Sequence, residues 1–484
     1  MTAEYTLQHR IAGEACDAAQ GEWFEKFEPC TGHLLARVAA GTGADVDRAV
    51  RAANAQFDGG HWSRLPGAAR AKLLHRLADL LEQDAERFVE LLAREQGRPV
   101  MEVRMMDLPM SIDTLRYFAG WADKLEGRQI PTGGFMGRPT VNYTVREAVG
   151  VAGLIVPWNA PLMIACWKLA PALAAGCTVV LKPSEDAPLA VGALADLAAQ
   201  AGFPPGVVNL VHGIGAAVGA ALVNHPGVDK ISFTGSTEVG RTIAREAGAQ
   251  FKRLTLELGG KAPQIIFDDA NLEQAIAGVA MGLFVNQGQT CAAGTRVLVQ
   301  RRHYDDVVGA LAHAARSVRV GMPFDPATQM GALISARHAD RVKTRIAAAL
   351  RDGATMVAGD EPVPSQGFFV RPTVFANVDP AMRIARDEVF GPVGTIIPFE
   401  TEDEAVALAN DTLYALSASL WTRDLATAHR TAARLRVGAV AVNAWSPLDA
   451  RLPWGGFKES GVGRDLSQSG LDAYLEEKVV TIAM

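Results

Sequence analysis

Strand-like and helix-like segments alternate through the middle of the chain, and this alternation limits the possible folds more than any other feature. Four segments rich in β-branched and apolar residues lie at 143–157, 177–181, 207–211 and 230–233. Stretches with helical spacing follow them at 162–175, 190–201, 216–224 and 238–249. Strands that alternate with helices form parallel sheets covered by helices on both faces. The sequence therefore predicts an α/β fold.

The flanking regions extend this pattern. Helices are predicted before it at 45–57 and 68–92, and the alternation resumes after it with strands at 262–267, 295–300, 393–399 and 437–443 and helices at 270–284 and 303–317. The Gly/Pro-rich and then β-like segment 127–143 interrupts the pattern. It is typical of an arm that pairs with another subunit, and equally of an ordinary surface hairpin. At roughly 150 residues per domain, the chain is long enough for about three domains.

Charge and hydropathy exclude several classes of partner. The formal net charge is −6 without a basic stripe, so we expect no nucleic-acid or membrane partner. The N-terminus lacks the basic and apolar regions of a secretory signal. The longest mostly apolar run, 169–181, has 13 residues, which is too short to span a bilayer. These features predict a cytoplasmic protein.

The chain has five cysteines and no C-x-x-C pair, which argues against a metal site and against a disulfide framework. Cys166 and Cys177 lie in apolar runs, as inert buried cysteines commonly do. Cys291 instead lies among small and amide residues in the segment NQGQTCAAG, 286–294. It is a candidate nucleophile, provided that its surroundings favour the thiolate.

A carboxylate that could serve this thiol lies 34 residues upstream. Glu257 stands between leucines in the strand-like segment LTLEL, 254–258. Burial would raise its pKa and let it exchange protons near neutrality. A surface-facing strand residue is the alternative, and this segment alone does not decide between them.

Two glycine-containing segments could bind a phosphate group. The segment GIGAAVG, 213–219, is one residue longer than a dinucleotide fingerprint. In FTGSTEVG, 233–240, a strand ends, Gly235 permits close backbone approach, and Ser236 begins a helix. Free N–H groups at such a helix start suit a pyrophosphate. A helix that Ser236 merely caps is the alternative interpretation.

Lys182 and Glu185 follow a predicted strand, at the sheet edge where ligands of doubly wound folds gather. A carboxylate there can accept hydrogen bonds from ribose hydroxyls and would repel a 2′-phosphate. The pair therefore favours NAD over NADP. Taken alone, it could equally be a solvated charge pair.

Seven segments in order resemble the aldehyde dehydrogenase superfamily over nearly the whole chain. They are PWN (157–159), KPSE (182–185), FTGS (233–236), ELGGK (257–261), GQTC (288–291), EVFGP (388–392) and PWGGFKESG (453–461). The resemblance implies a Rossmann-like NAD-binding domain at 1–125 and 149–256 and an α/β catalytic domain at 257–459. It also implies a small β oligomerisation arm at 126–148 and 460–484, in a homodimer or homotetramer.

The resemblance implies catalytic roles as well. Cys291 would attack the aldehyde, the Asn159 side chain and the Cys291 N–H would stabilise the oxyanion, and Glu257 would activate water. Lys168 and Glu476 match positions linked to a proton path from the base. The residues expected to bind NAD are Trp158, Lys182, Glu185, Gly215, Phe233, Gly235, Ser236, Glu388 and Phe390.

Within the implied substrate tunnel, Ala160 and Leu448 stand where many small-aldehyde members carry an aromatic residue. A wider tunnel would suit a bulky apolar aldehyde, aromatic or terpenoid, unless loop shifts refill the space. Arg451 in the same loop could bind the carboxylate of an ω-semialdehyde, or it could be solvated or pair at a subunit contact. The other residues expected in the tunnel wall are Ile164, Trp167, Thr290 and Trp454.

Three other functions remain as alternatives. A coenzyme-A-acylating enzyme commonly lacks the base, and a silent binding protein would be expected to lose the thiol or the base. A thiol hydrolase would have no use for Lys182, Glu185 and Glu388 together. The sequence retains all of these groups, which favours NAD-dependent oxidation that ends in hydrolysis.

Overall fold

The computed structural model describes residues 3–446 and 448–484. The first part contains β1 Tyr5–Leu7, β2 His9–Ile11, β3 Glu14–Cys16, β4 Trp23–Phe27, β5 Leu34–Ala39, α1 Gly43–Asp58, α2 Gly67–Gln83, α3 Ala85–Gln96, α4 Val100–Glu102 and α5 Leu108–Ala119. The middle part contains β6 Thr140–Ala148, β7 Val151–Ile155, α6 Pro161–Ala175, β8 Thr178–Lys182, α7 Leu189–Ala201, β9 Val208–Leu210, α8 Ala220–Asn224, β10 Lys230–Thr234, α9 Thr237–Gly248 and β11 Arg253–Glu257. The last part contains β12 Pro263–Ile266, α10 Leu272–Phe284, β13 Arg296–Gln300, α11 Tyr304–Ser317, α12 Ala336–Arg351, β14 Thr355–Ala358, β15 Thr373–Ala376, α13 Arg383–Arg386, β16 Val393–Phe399, α14 Glu402–Asn410, β17 Ser417–Trp421, α15 Leu425–Arg434, β18 Ala439–Val442, β19 Gly461–Val462, α16 Ser467–Asp472 and β20 Leu475–Ala483.

An eight-stranded sheet has the strand order β19-β11-β10-β7-β8-β9-β2-β3. Its five central strands are parallel, and β19 and β2 are antiparallel to their neighbours at the two ends. Apolar residues from α2, α5, α6 and α7 fill the core on one face, and those of α1, α8 and α9 fill the other. The α/β fold predicted from the alternation is confirmed.

A second sheet of seven strands has the order β14-β15-β16-β13-β12-β17-β18, parallel except for β14. Two further apolar cores flank it. Strands β1, β5 and β4 form a small separate sheet. No helix in residues 3–446 or 448–484 is long and apolar enough to cross a membrane.

Strands β6 and β20 pair antiparallel over nine positions, from Thr140 with Ala483 to Ala148 with Leu475, as a sheet of their own. The rest of the predicted C-terminal arm segment lies elsewhere. Strand β19 joins the eight-stranded sheet, and α16 packs against α6. The separate two-stranded unit therefore takes only 475–483 from the C-terminal part of the chain.

The structure corrects four local predictions. The helix predicted at 68–92 is two helices, divided at Asp84. The strand-like segment 143–157 is two strands in different sheets, because the backbone turns at Gly150, where φ is +132°. The helix predicted at 216–224 begins as a π-helical turn, Gly215–Gly219, before α8. Strands precede α1 where only helices were predicted.

Candidate active site

Cys291 follows a tight turn between α10 and β13 in which three successive residues have left-handed backbone. The φ angles are +50° at Asn286, +55° at Gln287 and +66° at Gly288. Such angles cost energy for residues other than glycine. Side-chain amides compensate, because Asn286 Nδ2 donates to the carbonyl of Asn159 at 2.7 Å and Gln287 Nε2 donates to two carbonyls at 3.0 Å. The amide residues seen around Cys291 in the sequence therefore shape its loop.

Gly288 also brings this loop against the segment that carries Glu388 and Phe390. A Cβ atom at Gly288 would lie 2.3 Å from the carbonyl oxygen of Gly391. Only glycine permits that approach. The nucleophile loop and the 388–391 segment are thus in direct main-chain contact.

Asn159 lies between the end of β7 and the start of α6, and it is buried. Its Nδ2 donates to the carbonyl of Gln289 at 2.9 Å, which holds the amide beside Cys291. An amide nitrogen carries two hydrogens, so a second hydrogen remains for an oxygen bound at the thiol. This arrangement suits an oxyanion site.

Two cavities meet at Asn159 and Cys291. One is a tunnel of about 330 Å³, and the other is a cleft of about 400 Å³. All six residues predicted for the substrate pocket line the tunnel, namely Ala160, Ile164, Trp167, Thr290, Leu448 and Trp454. Sequence reasoning missed four methionines of the same wall, Met105, Met106, Met110 and Met163. Arg451 instead pairs with Asp449 at 2.7 Å and is mostly exposed.

Five of the predicted cofactor residues line the cleft, namely Trp158, Gly235, Ser236, Glu388 and Phe390. Glu388 Oε1 accepts a hydrogen bond from the Gly260 N–H at 2.9 Å, and burial raises the pKa of Glu388 to about 7. The Trp158 and Phe390 rings meet edge to face, with centroids 5.1 Å apart. Phe233 packs beneath Gly235, where a Cβ would lie 2.4 Å from its ring.

Lys182, Glu185 and Gly215 form a second group at the ends of β8 and β9. Lys182 Nζ lies 3.1 Å from Glu185 Oε2, and the Gly215 N–H points to Glu185 Oε1 at 3.5 Å. Burial opposes ionisation of Glu185, but Lys182 and backbone donors hold its pKa below the usual value. These features together fit a dinucleotide such as NAD: the ionised Glu185 carboxylate as an acceptor, the helix that starts at Ser236, and the aromatic ring of Phe390.

His338 is a functional candidate that sequence reasoning missed. Its Nε2 lies 2.7 Å from the carbonyl oxygen of Phe390, and its Nδ1 lies 3.1 Å from Arg341. Phe390 has a φ of +58°, so this contact supports a strained residue of the cleft. A histidine in a polar helix gives no such signal in the sequence.

Glu257 ends β11 and is 4% exposed. Neither of its oxygens hydrogen-bonds to another described residue. Burial, and then the charge of Asp465, raise the pKa of Glu257 well above its usual value, while Lys168 and Arg464 oppose the rise. The pKa of Cys291 is likewise raised, to about 12. The main cause is the burial of the thiol, and the negative charges of Glu388 and Glu257 add to it.

Lys168 lies on α6, and its Nζ is 2.7 Å from Asp465 Oδ2 and 3.0 Å from Ser232 Oγ. Glu476, which the resemblance links with Lys168 to a proton path from the base, does not lie beside Lys168. Glu476 lies on β20, is half-exposed and accepts from Arg253 Nε at 2.7 Å. Asp465, which the sequence analysis missed, is the acidic partner of Lys168. It is the one acidic residue between Ser460 and Leu471.

Comparison with known proteins gives a consistent result. The model of the Aldehyde dehydrogenase family matches residues 16–480. Human mitochondrial aldehyde dehydrogenase is 44% identical over 98% of this chain and 91% of its own length, and aldehyde dehydrogenase 1A1 of Gallus gallus is 44% identical over 98% and 92%. The solved NAD+ complex of aldehyde dehydrogenase from Bacillus cereus is 42% identical, with a TM-score of 0.96 and coverage of 99% of this chain and 97% of that one.

Proposed function

Because the chain belongs to the aldehyde dehydrogenase family, we propose that it uses NAD to oxidise an aldehyde to a carboxylic acid through a thioester on Cys291. The observation that carries the proposal is the meeting of the two cavities at Asn159 and Cys291. An aldehyde in the tunnel and a nicotinamide in the cleft would reach the thiol from opposite sides.

The first step is attack of Cys291 on the aldehyde carbon. Since the pKa of the thiol is about 12, its proton must leave as the new bond forms. Glu257, a neighbouring buried carboxylate with a raised pKa, can receive that proton, and it would pass the proton to the Lys168–Asp465 pair before it acts as a base again. The Asn159 amide and the Cys291 N–H then stabilise the oxyanion, and each such donor contributes about 3–4 kcal/mol in other enzymes.

NAD supplies the acceptor for the hydride that leaves the aldehyde carbon. Glu388 and Phe390 would hold its nicotinamide end, since both line the cleft next to Cys291. Ser236 at the start of α9 would face the pyrophosphate. Lys182 and Glu185 would bind the adenosine ribose, and the Glu185 charge favours NAD over NADP.

The second half of the reaction is hydrolysis of the thioester. Glu257 would take a proton from water as the water oxygen bonds to the carbonyl carbon. The carboxylic acid leaves and Cys291 is restored. The buried Lys168–Asp465 pair beside Glu257 would accept the proton next. Retention of this base argues against transfer of the acyl group to coenzyme A.

We further propose a bulky or elongated apolar substrate, aromatic or terpenoid. Ala160 and Leu448 leave space in the wall, and methionines adapt to irregular apolar shapes. The Trp167 and Trp454 rings, 6.3 Å apart, give flat apolar surfaces. Comparable kcat/KM for acetaldehyde and for bulky aldehydes would contradict this substrate class without affecting the reaction itself.

The experiment that tests the reaction is an aldehyde panel with NAD or NADP, followed by absorbance of the reduced cofactor. Cys291→Ala is expected to abolish reduction, and Glu257→Gln to slow product release. Product identification with and without coenzyme A separates hydrolysis from acyl transfer. Failure of every aldehyde to reduce NAD with intact Cys291 would overturn the proposal.

We propose that the protein is a cytoplasmic homodimer or homotetramer. Its described cysteines are all free thiols, which supports a reducing compartment. The two-stranded β6–β20 unit exposes Tyr143, Val479 and Ile482, an apolar set that suits pairing with another subunit. The domains then correspond to the two large sheets and this arm. Light scattering of the purified chain would show a monomer if this is wrong.

A further inference from the structure

A column of polar side chains lies on one face of the eight-stranded sheet. Strands β10 and β11 are parallel neighbours, and side chains alternate between the two faces of each strand. One face carries, from the start of the strands to their end, the register pairs Lys230–Arg253, Ser232–Thr255 and Thr234–Glu257. The column therefore leads from the start of both strands to the proposed base.

Apart from Arg253, this column is buried, although its alternating sequence resembles that of a solvent-facing strand. Lys230, Ser232 and Thr255 have no exposed surface. Buried polar groups are costly unless they are hydrogen-bonded. Lys168 Nζ donates to Ser232 Oγ at 3.0 Å, and Lys230 Nζ donates to Thr255 Oγ1 at 2.8 Å. An apolar face at this position would need no such hydrogen bonds. The presence of buried polar residues here therefore suggests that they have a function.

Lys230 is a buried, titratable member of the column that the mechanism leaves unused. Its Nζ lies 4.6 Å from the centre of the Tyr474 ring, and no carboxylate of the described residues forms an ion pair with it. Burial lowers the pKa of Lys230 to about 7, so it can gain and lose a proton near neutrality. The titratable groups that face it are Asp465, Lys168, Cys177, Arg253 and Tyr474.

Solvent is close to Lys230 on the side away from Glu257. Lys230 is the first residue of β10, and Asp229 before it is exposed. Its register partner Arg253 is also exposed and binds Glu476 at the surface. Lys230 itself has no exposed surface, but its neighbours at this end of the strands reach solvent.

We propose that Lys230 is the outer proton carrier of the base, and that it passes to solvent the proton that Glu257 takes from the hydrolytic water. This inference rests on the proposed function. The proton passes from Glu257 to the Lys168–Asp465 pair, follows the Lys168–Ser232 hydrogen bond, and crosses the shared face of β10 from Ser232 to neutral Lys230. Each carrier gains one proton and releases one. No electrons are transferred, and Lys230 does not touch the substrate.

The test is hydrolysis of 4-nitrophenyl acetate by the full-length protein, which requires neither aldehyde nor NAD. Acylation of Cys291 releases a burst of nitrophenol that counts active thiols, and the later steady rate measures deacylation. Lys230→Met is expected to keep the burst and to slow deacylation by roughly ten- to a hundredfold. Lys230→Arg keeps the charge and the donor to Thr255 but titrates far above neutrality, so it is expected to slow deacylation as well.

Lys252→Met is the matched control, since Lys252 lies near the start of β11 but outside the column. The deacylation rate of this variant is expected to stay unchanged.

The pH profile separates a proton carrier from a structural lysine, because both Lys230 variants should lose the rise in deacylation rate near pH 7. A full burst with an unchanged deacylation rate and profile in Lys230→Arg would overturn the inference. Loss of the burst from folded Lys230→Arg would also overturn it, since Lys230 would then act before deacylation. No burst from the unaltered protein would instead contradict the proposed thioester on Cys291.

Discussion

Lys168 and Asp465 form a 2.7 Å ion pair in which the side chains are 0% and 1% exposed. They come from helix α6 and from the loop after β19, so the pair joins two distant parts of the chain. Both influence Glu257, in opposite directions, because Asp465 raises and Lys168 lowers its pKa. The proposed base is thus placed beside one buried charge of each sign.

Breaking this pair should destabilise the protein more than removing both charges. Lys168→Met leaves Asp465 buried and unpaired, which costs about 3–5 kcal/mol in comparable cases. The double variant Lys168→Met/Asp465→Leu is expected to recover much of that loss in urea unfolding. Lys478→Met, which breaks an exposed pair with Glu147, is the control and should change little. Simple addition of the two single effects would contradict the coupling.

The reactivity of Cys291 toward iodoacetamide should keep increasing beyond pH 10. Its pKa is about 12 because solvent is lost around the thiol and because Glu388 and Glu257 repel the thiolate. An ordinary cysteine, with a pKa near 8.5, would level off by about pH 9.5.

Glu388→Gln should increase the rate of alkylation at pH 8–9. Glu388 has a pKa of about 7 and is mostly ionised there, so the substitution removes a negative charge and lowers the pKa of the thiol. Glu147→Gln on the surface is the control. Mass spectrometry of the Cys291 peptide distinguishes this thiol from the other four, and an unchanged rate in Glu388→Gln would refute the electrostatic explanation.

Glu185→Gln should weaken the preference for NAD. The carboxylate is held ionised beside Lys182, where it would accept from a ribose hydroxyl and repel a 2′-phosphate. Loss of the charge is expected to reduce the ratio of kcat/KM for NAD to that for NADP by about tenfold, equal to about 1.4 kcal/mol. Steady-state kinetics with a saturating aldehyde gives the ratio. Glu238→Gln, which changes a carboxylate that lines the cleft, tests whether any loss of negative charge has the same effect.

Ala160→Phe should narrow the tunnel next to Asn159. The new ring would occupy space between α6 and the Cys291 loop, so kcat/KM for a bulky aldehyde should fall by roughly tenfold or more. Acetaldehyde should be affected far less. Val285→Ile, a small change in the same wall, provides a control for packing. Equal losses for both aldehydes would indicate a damaged active site rather than a narrower tunnel.

The central α/β region was predictable because strands such as β7 and β8 are buried on both faces and appear as continuous apolar runs. The periodicity of apolar residues did not predict the shortest elements. Strands β1, β2 and β3 have three residues each, too few for a period to emerge. The strands at 355–358 and 373–376 also went unpredicted, although both belong to the second sheet.

The site was predictable where a motif carried the chemistry, as at Cys291, Asn159 and Glu257. The residues that enter the site only through contacts made in the folded protein were not predictable from motifs. Asp465 and Glu476 are both acidic residues near the C-terminus. Only the fold brings Asp465 to Lys168, while β20 carries Glu476 to the surface. His338 belongs to the same category, because its contact with Phe390 joins distant parts of the chain.

Gly288 and Gly391 meet so closely that no side chain fits between them. Their contact ties the turn before the thiol to the segment that would hold the nicotinamide end of NAD. The main chain before the thiol therefore cannot shift relative to the segment that carries Glu388 and Phe390 without breaking this contact. Substitutions elsewhere in the tunnel can change which aldehyde enters, while the positions of these two backbone segments stay coupled.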